Sequence, residues 1–475
     1  MAVKDVLPYL LDSSFLRRCT RASSCFFVSS LVLVLLLVQF DLIPQINMQQ
    51  QVRDFQKQVS GYIHKLKTTT SSSTPPLASM SEEVDQSTSS LPPSARQQPL
   101  STSESGSTSS STTSSLLTPP TSHSSTMQST GRVAICLVGG ARAFELTGPT
   151  IKKYLLEAIP NSDVFLHCPL DKDSYKLSLL MDTPNLVHVR IFSPEHIPEN
   201  NVLHDVLTAA NSPNGIQGLL QYFKLVEGCL DMINQYQLQY NFTYEWVVRT
   251  RVDGYWNDFF PSFKKRNSAA YTVPVGSEFG GLNDRLGVGS WETTKVALAR
   301  LSLIPTLHVS GARGCNSERS FKDQLMVMKI PSKKSGFPFC ILSHRRYGFP
   351  PGYSGVPVLS ITSKGNMNGA KCRPCTPASR GASAKAILKM LRNGWGWPGD
   401  IKDPELCNAA GPWESNWESI FDSVAGSEIA KIRKDTVSQN LSACVRTFES
   451  WRVHVMNWDA PDPETLCEKG LGESG

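Results

Sequence analysis

Two arginines and an aspartate, alternating where an apolar run stops, are the residues of this chain best suited to chemistry. They stand in Trp246-Val-Val-Arg-Thr-Arg-Val-Asp253-Gly-Tyr-Trp256. Trp246 to Val248 reads as a buried strand, and open α/β sheets bind ligands where strands deliver polar groups at their carboxyl ends. The guanidiniums of Arg249 and Arg251 suit a diphosphate. The carboxylate of Asp253 beside them suits a divalent metal, Mn²⁺ or Mg²⁺, bridging that diphosphate. The alternative is a strand end at which Asp253 simply pairs with one of its arginines.

The flanking sequence supplies elements able to position these groups. Val133 to Val138 is a continuous apolar run, a buried strand followed directly by Gly139-Gly140. Pro149 opens an amphipathic stretch to Ala158, read as a helix with proline in its first turn. Asp163 to His167 and Leu186 to Phe192 are two further strands. From Gly215 to Tyr236, Ile216, Leu219, Leu220, Phe223, Val226, Leu230 and Ile233 fall on one face of a long helix. Tyr271 to Val275 reads as a strand, Trp291 to Leu303 and Asn316 to Lys329 as helices. Strands alternating with helices predict an α/β fold, a mostly parallel sheet with helices on both faces. Residues 131–364 form this domain. From 365 to 475 the character changes to cysteines, tryptophans and two helical segments, Trp417 to Lys434 and Leu441 to Val455. That part reads as a disulfide-stapled helical appendage.

The first 130 residues point to a compartment. Residues 1–22 read as a cytosolic tail, and Ser23 to Phe40 is an uncharged run of 18 residues, about the length that crosses a hydrocarbon core. Arg17, Arg18 and Arg21 precede the run and Asp41 follows, so the positive-inside bias places the remainder in the lumen. A cleaved signal peptide would have a shorter core and a small-residue cleavage site, so a retained anchor is expected. Met48, Val52, Phe55, Val59, Tyr62 and Leu66 recur at spacings of four and three, a short helical stalk over 41–67 able to pair with a second copy. Residues 68–130 are dominated by Ser, Thr and Pro and cannot bury enough apolar surface to order themselves; a disordered stem is expected.

Ten of the twelve cysteines follow the apolar run, where an oxidising lumen favours disulfides. Cys372-Arg-Pro-Cys375 matches half a zinc site or a redox pair, but it lacks a second ligand pair and the strand-to-helix context of a redox site. A structural disulfide role is expected. Asn241-Phe-Thr243 and Asn440-Leu-Ser442 are N-glycosylation sequons. The net charge of +6 is modest and no dense basic block occurs, so nucleic acid is not expected as a partner.

Four landmarks in this order carry a family resemblance: Gly139-Gly-Ala-Arg142-Ala-Phe144, Asp163-Val-Phe-Leu-His167, Arg249 to Asp253, and Asn283-Asp284-Arg-Leu-Gly-Val-Gly289 with Ser317-Glu318 beyond. The chain resembles a plant group of Golgi type II membrane proteins, itself similar to nucleotide-sugar glycosyltransferases of the GT-A type. The plant-group likeness covers Arg132 to Cys467, the transferase likeness about Val133 to Lys329. The resemblance implies that Asp253 takes the place of the last carboxylate of the GT-A Asp-x-Asp motif, a Mn²⁺ or Mg²⁺ ligand on the donor diphosphate. The position two before it is Arg251 rather than aspartate, so Arg249 and Arg251 could themselves stabilise the leaving group. Gly139 and Gly140 would admit a nucleotide closely, and Arg142 would reach its phosphates or base; glycine at such a turn also has purely steric reasons. Asp284 would be the general base on the acceptor hydroxyl, with Glu318 as the other candidate. Asn283-Asp284 is also ordinary turn chemistry, and Ser317-Glu318 an ordinary helix start. His167 is given no role.

The resulting expectation is a single-span type II Golgi membrane protein. Its lumenal domain would move a sugar from a nucleoside diphosphate donor to a glycan or glycoprotein hydroxyl. The alternative is a catalytically silent glycan- or partner-binding protein that keeps the fold.

Overall fold

Every residue of Val133-Ala-Ile-Cys-Leu-Val138 is buried, and alternate side chains enter two different cores. Such burial on both faces is what a central parallel strand requires. The structure, a computed structural model, describes residues 131–472 except 211, 213 and 398–400. The expected cytosolic tail, anchor, stalk and stem therefore lie outside the described residues. No helix among the described residues is long and apolar enough to cross a membrane.

The strands are β1 (Val133–Val138), β2 (Ser162–Pro169), β3 (Leu186–Phe192), β4 (Trp246–Arg251), β5 (Gly254–Trp256), β6 (Tyr271–Pro274) and β7 (Leu286–Gly289). They continue as β8 (Ser332–Ser335), β9 (Phe339–Leu342), β10 (Val358–Ser360), β11 (Lys371–Arg373), β12 (Ser379–Arg380), β13 (Glu405–Leu406) and β14 (Asn457–Asp459). Eight form one sheet in the order β14-β3-β2-β1-β4-β7-β6-β8; six form a second, β12-β13-β10-β11-β9-β5. In the first sheet only β7 runs antiparallel to both its neighbours, β4 and β6. The fold is therefore mixed α/β with two sheets.

The helices used below are α1 (Phe144–Ile151), α2 (Asn201–Val206), α3 (Gly215–Tyr240), α4 (Trp291–Leu298), α5 (Ile304–Val309) and α6 (Ser317–Val327). After them come α7 (Gly381–Met390), α8 (Trp417–Ala425), α9 (Ser427–Val437), α10 (Leu441–His454) and α11 (Pro463–Leu471). Val133, Ile135 and Leu137 share a core with Ile151, Phe448, Trp451 and Leu466, so α1, α10 and α11 cover that face. Ala134, Cys136 and Val138 face Val226, Cys229, Met232 and Ile233 of α3, with Trp291 and Leu298 of α4. Helices thus cover both faces of the first sheet.

Several elements differ from the sequence reading. The first helix starts at Phe144, not Pro149; proline sits inside it, and residues 152–156 continue in π-helical register. A missing N–H in a helix is commonly absorbed by such a register change. The expected Trp417–Lys434 helix is two, parted at Gly426, whose φ of 87° suits glycine alone. Leu286–Gly289, to which the sequence assigned no element, is a strand. A Cβ at Gly287 would lie 2.2 Å from the Tyr271 hydroxyl and one at Gly289 2.6 Å from the same ring, so these glycines let β6 and β7 pair across a buried tyrosine.

The segment from 365 onward is not set apart as an appendage. β14 closes the edge of the first sheet against β3, and β11 lies between β9 and β10 in the second. Four disulfides form among the described residues: Cys136–Cys229, Cys340–Cys372, Cys375–Cys407 and Cys444–Cys467. Cys372 and Cys375 are both structural, each bonded to a different partner, while Cys168 and Cys315 are buried free thiols. Each cross-link contributes about 2–4 kcal/mol by restricting the unfolded chain.

Trp451, 1% exposed, packs against Phe448 and Trp458 in the core beneath β1. Trp451→Ala is expected to cost about 3–5 kcal/mol in denaturant unfolding, in one cooperative transition shared with the sheet. A separate early transition confined to residues 441–471 would contradict this integration.

Candidate active site

The chain runs from β1 outward to β2 and β3, then returns to β4 on the other side of β1. At such a reversal, here at the carboxyl ends of β1 and β4, open α/β sheets have the crevice in which they bind ligands. Gly139-Gly140 leaves β1 here, and Arg251 and Asp253 leave β4. Antiparallel β7 begins at the same end; its Leu286 pairs with Thr250, which brings Asp284 and Arg285 beside Arg251. Thus β4 and β7 deliver the third and fourth landmarks to one place.

The glycine turn is accounted for by the protein itself. Gly139 has φ of 128°, and a Cβ on Gly140 would come 2.6 Å from an Asp171 carboxylate oxygen. Arg142 is exposed, and its charge helps hold the Asp253 carboxyl low.

Arg249 and Arg251 lie on the face of β4 that α3 covers. Arg249 is 1% exposed; Nη1 donates to the Tyr222 hydroxyl at 3.4 Å, and Nε has no partner. Tyr222, on α3, donates in turn to the Asp284 carbonyl at 2.8 Å. Arg251 grips Asp253 with two bonds, Nε to Oδ1 at 2.8 Å and Nη2 to Oδ2 at 2.6 Å. Burial works to raise the Asp253 carboxyl, but Arg251, then Lys371 and Arg142, outweigh it and hold it below the usual range.

Asp284 and Glu318 titrate apart. The Ser317 hydroxyl donates to Asp284 Oδ2, and Arg300 Nη1 stands 3.7 Å from the same oxygen. Arg300 is itself wedged between the rings of Phe223 at 4.4 Å and Phe321 at 4.9 Å. Burial alone would raise the Asp284 carboxyl; Arg300, the Ser317 bond, Arg249 and Arg285 keep it low. Glu318, in the first turn of α6, has its carboxyl pushed up to about 7, first by burial and then by the Asp284 charge, against the pull of Arg285 and Arg300. Two neighbouring carboxyls with opposed shifts are an arrangement suited to one permanent anion and one proton acceptor near neutrality. Gly281 must be glycine, since a Cβ there would stand 1.9 Å from the Glu318 carbonyl oxygen. Asn283 is structural: its amide nitrogen donates to the carbonyls of Gly276 and Asn368, each at 2.9 Å.

The structure adds residues that the sequence reading missed. Arg285 donates to the Gly369 carbonyl at 2.7 Å, and Lys371 on β11 is influenced by Arg285, Arg251, Asp253 and Arg345. Arg300 had a signal, a lone arginine in the apolar run Val296-Ala-Leu-Ala-Arg300-Leu301. Tyr222 and Lys371 had none. His167 is buried, bonded through Nδ1 to the Leu225 carbonyl at 2.7 Å, and its pKa falls to about 4 through burial. The sequon asparagines Asn241 and Asn440 are both exposed. A hollow of about 310 Å³ lined by Tyr154, Asn257, Asp258 and Ser363 lies beyond β5, apart from these carboxyls.

The surroundings of Asp253 do not fit a divalent cation. Both its oxygens are taken by Arg251, its other charged neighbours are Lys371 and Arg142, and no three His, Cys, Asp or Glu side chains among the described residues converge as a metal site.

Fold and site together define a mixed α/β protein with a cation-rich crevice at its strand-order reversal. The chain belongs to the family described as a domain of unknown function, DUF7796, whose model matches residues 128–473. Among solved structures it is similar to the apo form of mouse xyloside xylosyltransferase 1, at 10% identity and a TM-score of 0.28, covering 43% of this chain and 84% of that one. No curated protein matches it by sequence.

The opposed carboxyls make a prediction about stability. Glu318 binds its proton more tightly folded than its ordinary value of 4.5 allows, so its contribution is full below that value and is lost as pH rises through about 7. Glu318→Gln stays neutral throughout. It should raise Tm over the parent at pH 8, by a margin that vanishes towards pH 4. A difference independent of pH would contradict the assignment.

Proposed function

We propose that this chain is a nucleotide-sugar glycosyltransferase of GT-A-like fold. It would sit in the Golgi lumen on a single-span type II anchor and act on a glycan or glycoprotein hydroxyl. The observation that carries the reading is Glu318, poised as a proton acceptor beside ionised Asp284, at a sheet end where Arg249, Arg251, Arg285 and Arg300 outnumber the carboxylates. The disulfides and the two exposed sequons support an oxidising lumen.

In this reading the acceptor hydroxyl gives its proton to Glu318 while its oxygen attacks the anomeric carbon. The bond from that carbon to the diphosphate oxygen breaks, and the nucleoside diphosphate leaves with the electron pair. This single displacement inverts the anomeric centre. The guanidiniums beside the leaving group stabilise its growing charge in a poorly hydrated setting, where fixed charges act most strongly. Asp284 keeps Arg300 and Ser317 in place and stays ionised, which maintains the shift at Glu318.

A second reading, a silent glycan-binding protein, is favoured by one feature. Phe279, Trp395 and Trp397 form a half-buried aromatic trio with ring centres 5.3–5.6 Å apart, and Arg285 lies 5.8 Å from the Phe279 ring.

The test is nucleotide release by the purified protein from a panel of UDP- and GDP-sugars with candidate glycan acceptors, with chelator and with Mn²⁺. Donor-specific release is expected with chelator present, with kcat/KM rising through pH about 7 and falling about 10²–10⁴-fold in Glu318→Gln. Glycan binding with no release from any donor, and no effect of Glu318→Gln, would favour the binding protein.

A further inference from the structure

We infer that Lys371 and Arg251, with Arg285, form a metal-free site for a diphosphate group, in which the lysine ammonium takes the part that a divalent cation would otherwise play. This rests on the donor reading above for the identity of its natural ligand, but not for the existence of the anion site.

The second sheet brings the lysine to the crevice. Lys371 pairs with Ile341 on β9, and Ile341 pairs with Gly254 on β5, the residue that follows Asp253. The Leu342 N–H donates to the Asp253 carbonyl at 3.1 Å, tying β9 to the end of β4. Two strand spacings set Lys371 roughly 10 Å from Gly254 along the sheet, so its long side chain can reach back towards Asp253.

Among the described residues Lys371 nevertheless makes no ion pair. Asp253 is the carboxylate that acts on it, and both Asp253 oxygens already accept bonds from Arg251 at 2.8 and 2.6 Å. The other charged groups acting on it, Arg285 and Arg251 first and then Arg345, are all positive. Burial, reinforced by those guanidiniums, holds its proton affinity far below that of an ordinary lysine. Arg285 is buried, and its Nη1 donates to the Gly369 carbonyl at 2.7 Å.

A half-buried lysine facing three arginines is costly unless an anion joins them. A diphosphate has the charge and the several acceptor oxygens to do so. A divalent cation would instead meet four positive groups and one carboxylate whose oxygens are occupied. A nucleoside diphosphate and free pyrophosphate share the recognised chemistry, so the arms of the experiment separate them.

The experiment is calorimetric titration of the purified full-length protein in chelator with pyrophosphate, UDP and GDP, alongside thermal unfolding. Pyrophosphate should bind without metal. Lys371→Met should weaken it at least tenfold while raising Tm, because an isosteric apolar side chain removes the cost of burying the amine beside the arginines. Lys371→Arg should keep most of the affinity. Preference for UDP or GDP over pyrophosphate would identify the nucleotide as the source.

Unchanged affinity in Lys371→Met, no pyrophosphate binding by the parent, or binding that appears only with added Mn²⁺ would overturn the inference. Lys371-dependent pyrophosphate binding without release from any nucleotide sugar would leave the site standing and remove the transferase. Sugar transfer that survives in Lys371→Met would do the reverse.

Discussion

Among the described residues Arg249 has no carboxylate partner, and it has almost no access to water, yet it sits within the first sheet. A guanidinium cannot shed its charge to escape burial, so the surrounding structure has to accommodate it. Tyr222 leans from α3 to accept its bond and passes a hydrogen bond on to the Asp284 carbonyl. Asp284 then lies close enough to Arg300 and Ser317 to stay ionised, and its charge helps to lift the Glu318 carboxyl to about 7. One buried cation thereby links α3, β4, β7 and α6. Arg251 adds a second constraint by occupying Asp253, which turns the residue that most resembles a metal ligand into a fixed partner of an arginine.

Much of the scaffold around this chain of contacts was legible in the residues. β1 and the start of β4 are apolar runs bounded by glycine or charge, and burial on both faces leaves little else they could be. α3 announces itself by its apolar stripe. The strands of the second sheet were not legible: two to four residues long, they carry no period, and their pairing is set by contacts far away in sequence. β7 was hidden for a different reason, since its glycines answer to the ring of Tyr271 rather than to strand propensity. The supposed appendage was misread because cysteines and tryptophans mark stapling without saying to what. Trp451 and β14 are staples of the first sheet itself.

The site shows the same division. Arg249, Arg251, Asp253, Asp284 and Glu318 stood out as charges at element ends, and the structure gathers them at the crevice. Their relations did not stand out. Whether Asp253 faces a metal or an arginine depends on a two-residue side-chain geometry, and which carboxyl is raised depends on Arg300, drawn in from the turn after α4. Gly139 and Gly140, attractive as a nucleotide turn, have reasons within the fold, in Val252 and Asp171. Lys371 could not be found from its neighbours in sequence, because only the register of β11 with β9 and β5 carries it to the crevice.

Positive charge is in surplus at the carboxyl ends of β1 and β4. The most direct measurement is an experimental structure of the protein with UDP, prepared in chelator. The account predicts the diphosphate at this crevice, its oxygens within hydrogen-bond distance of Arg251 and Lys371, with Glu318 open to the space beyond the terminal phosphate. UDP lodged elsewhere, as in the hollow beside Asn257 and Ser363, would contradict it.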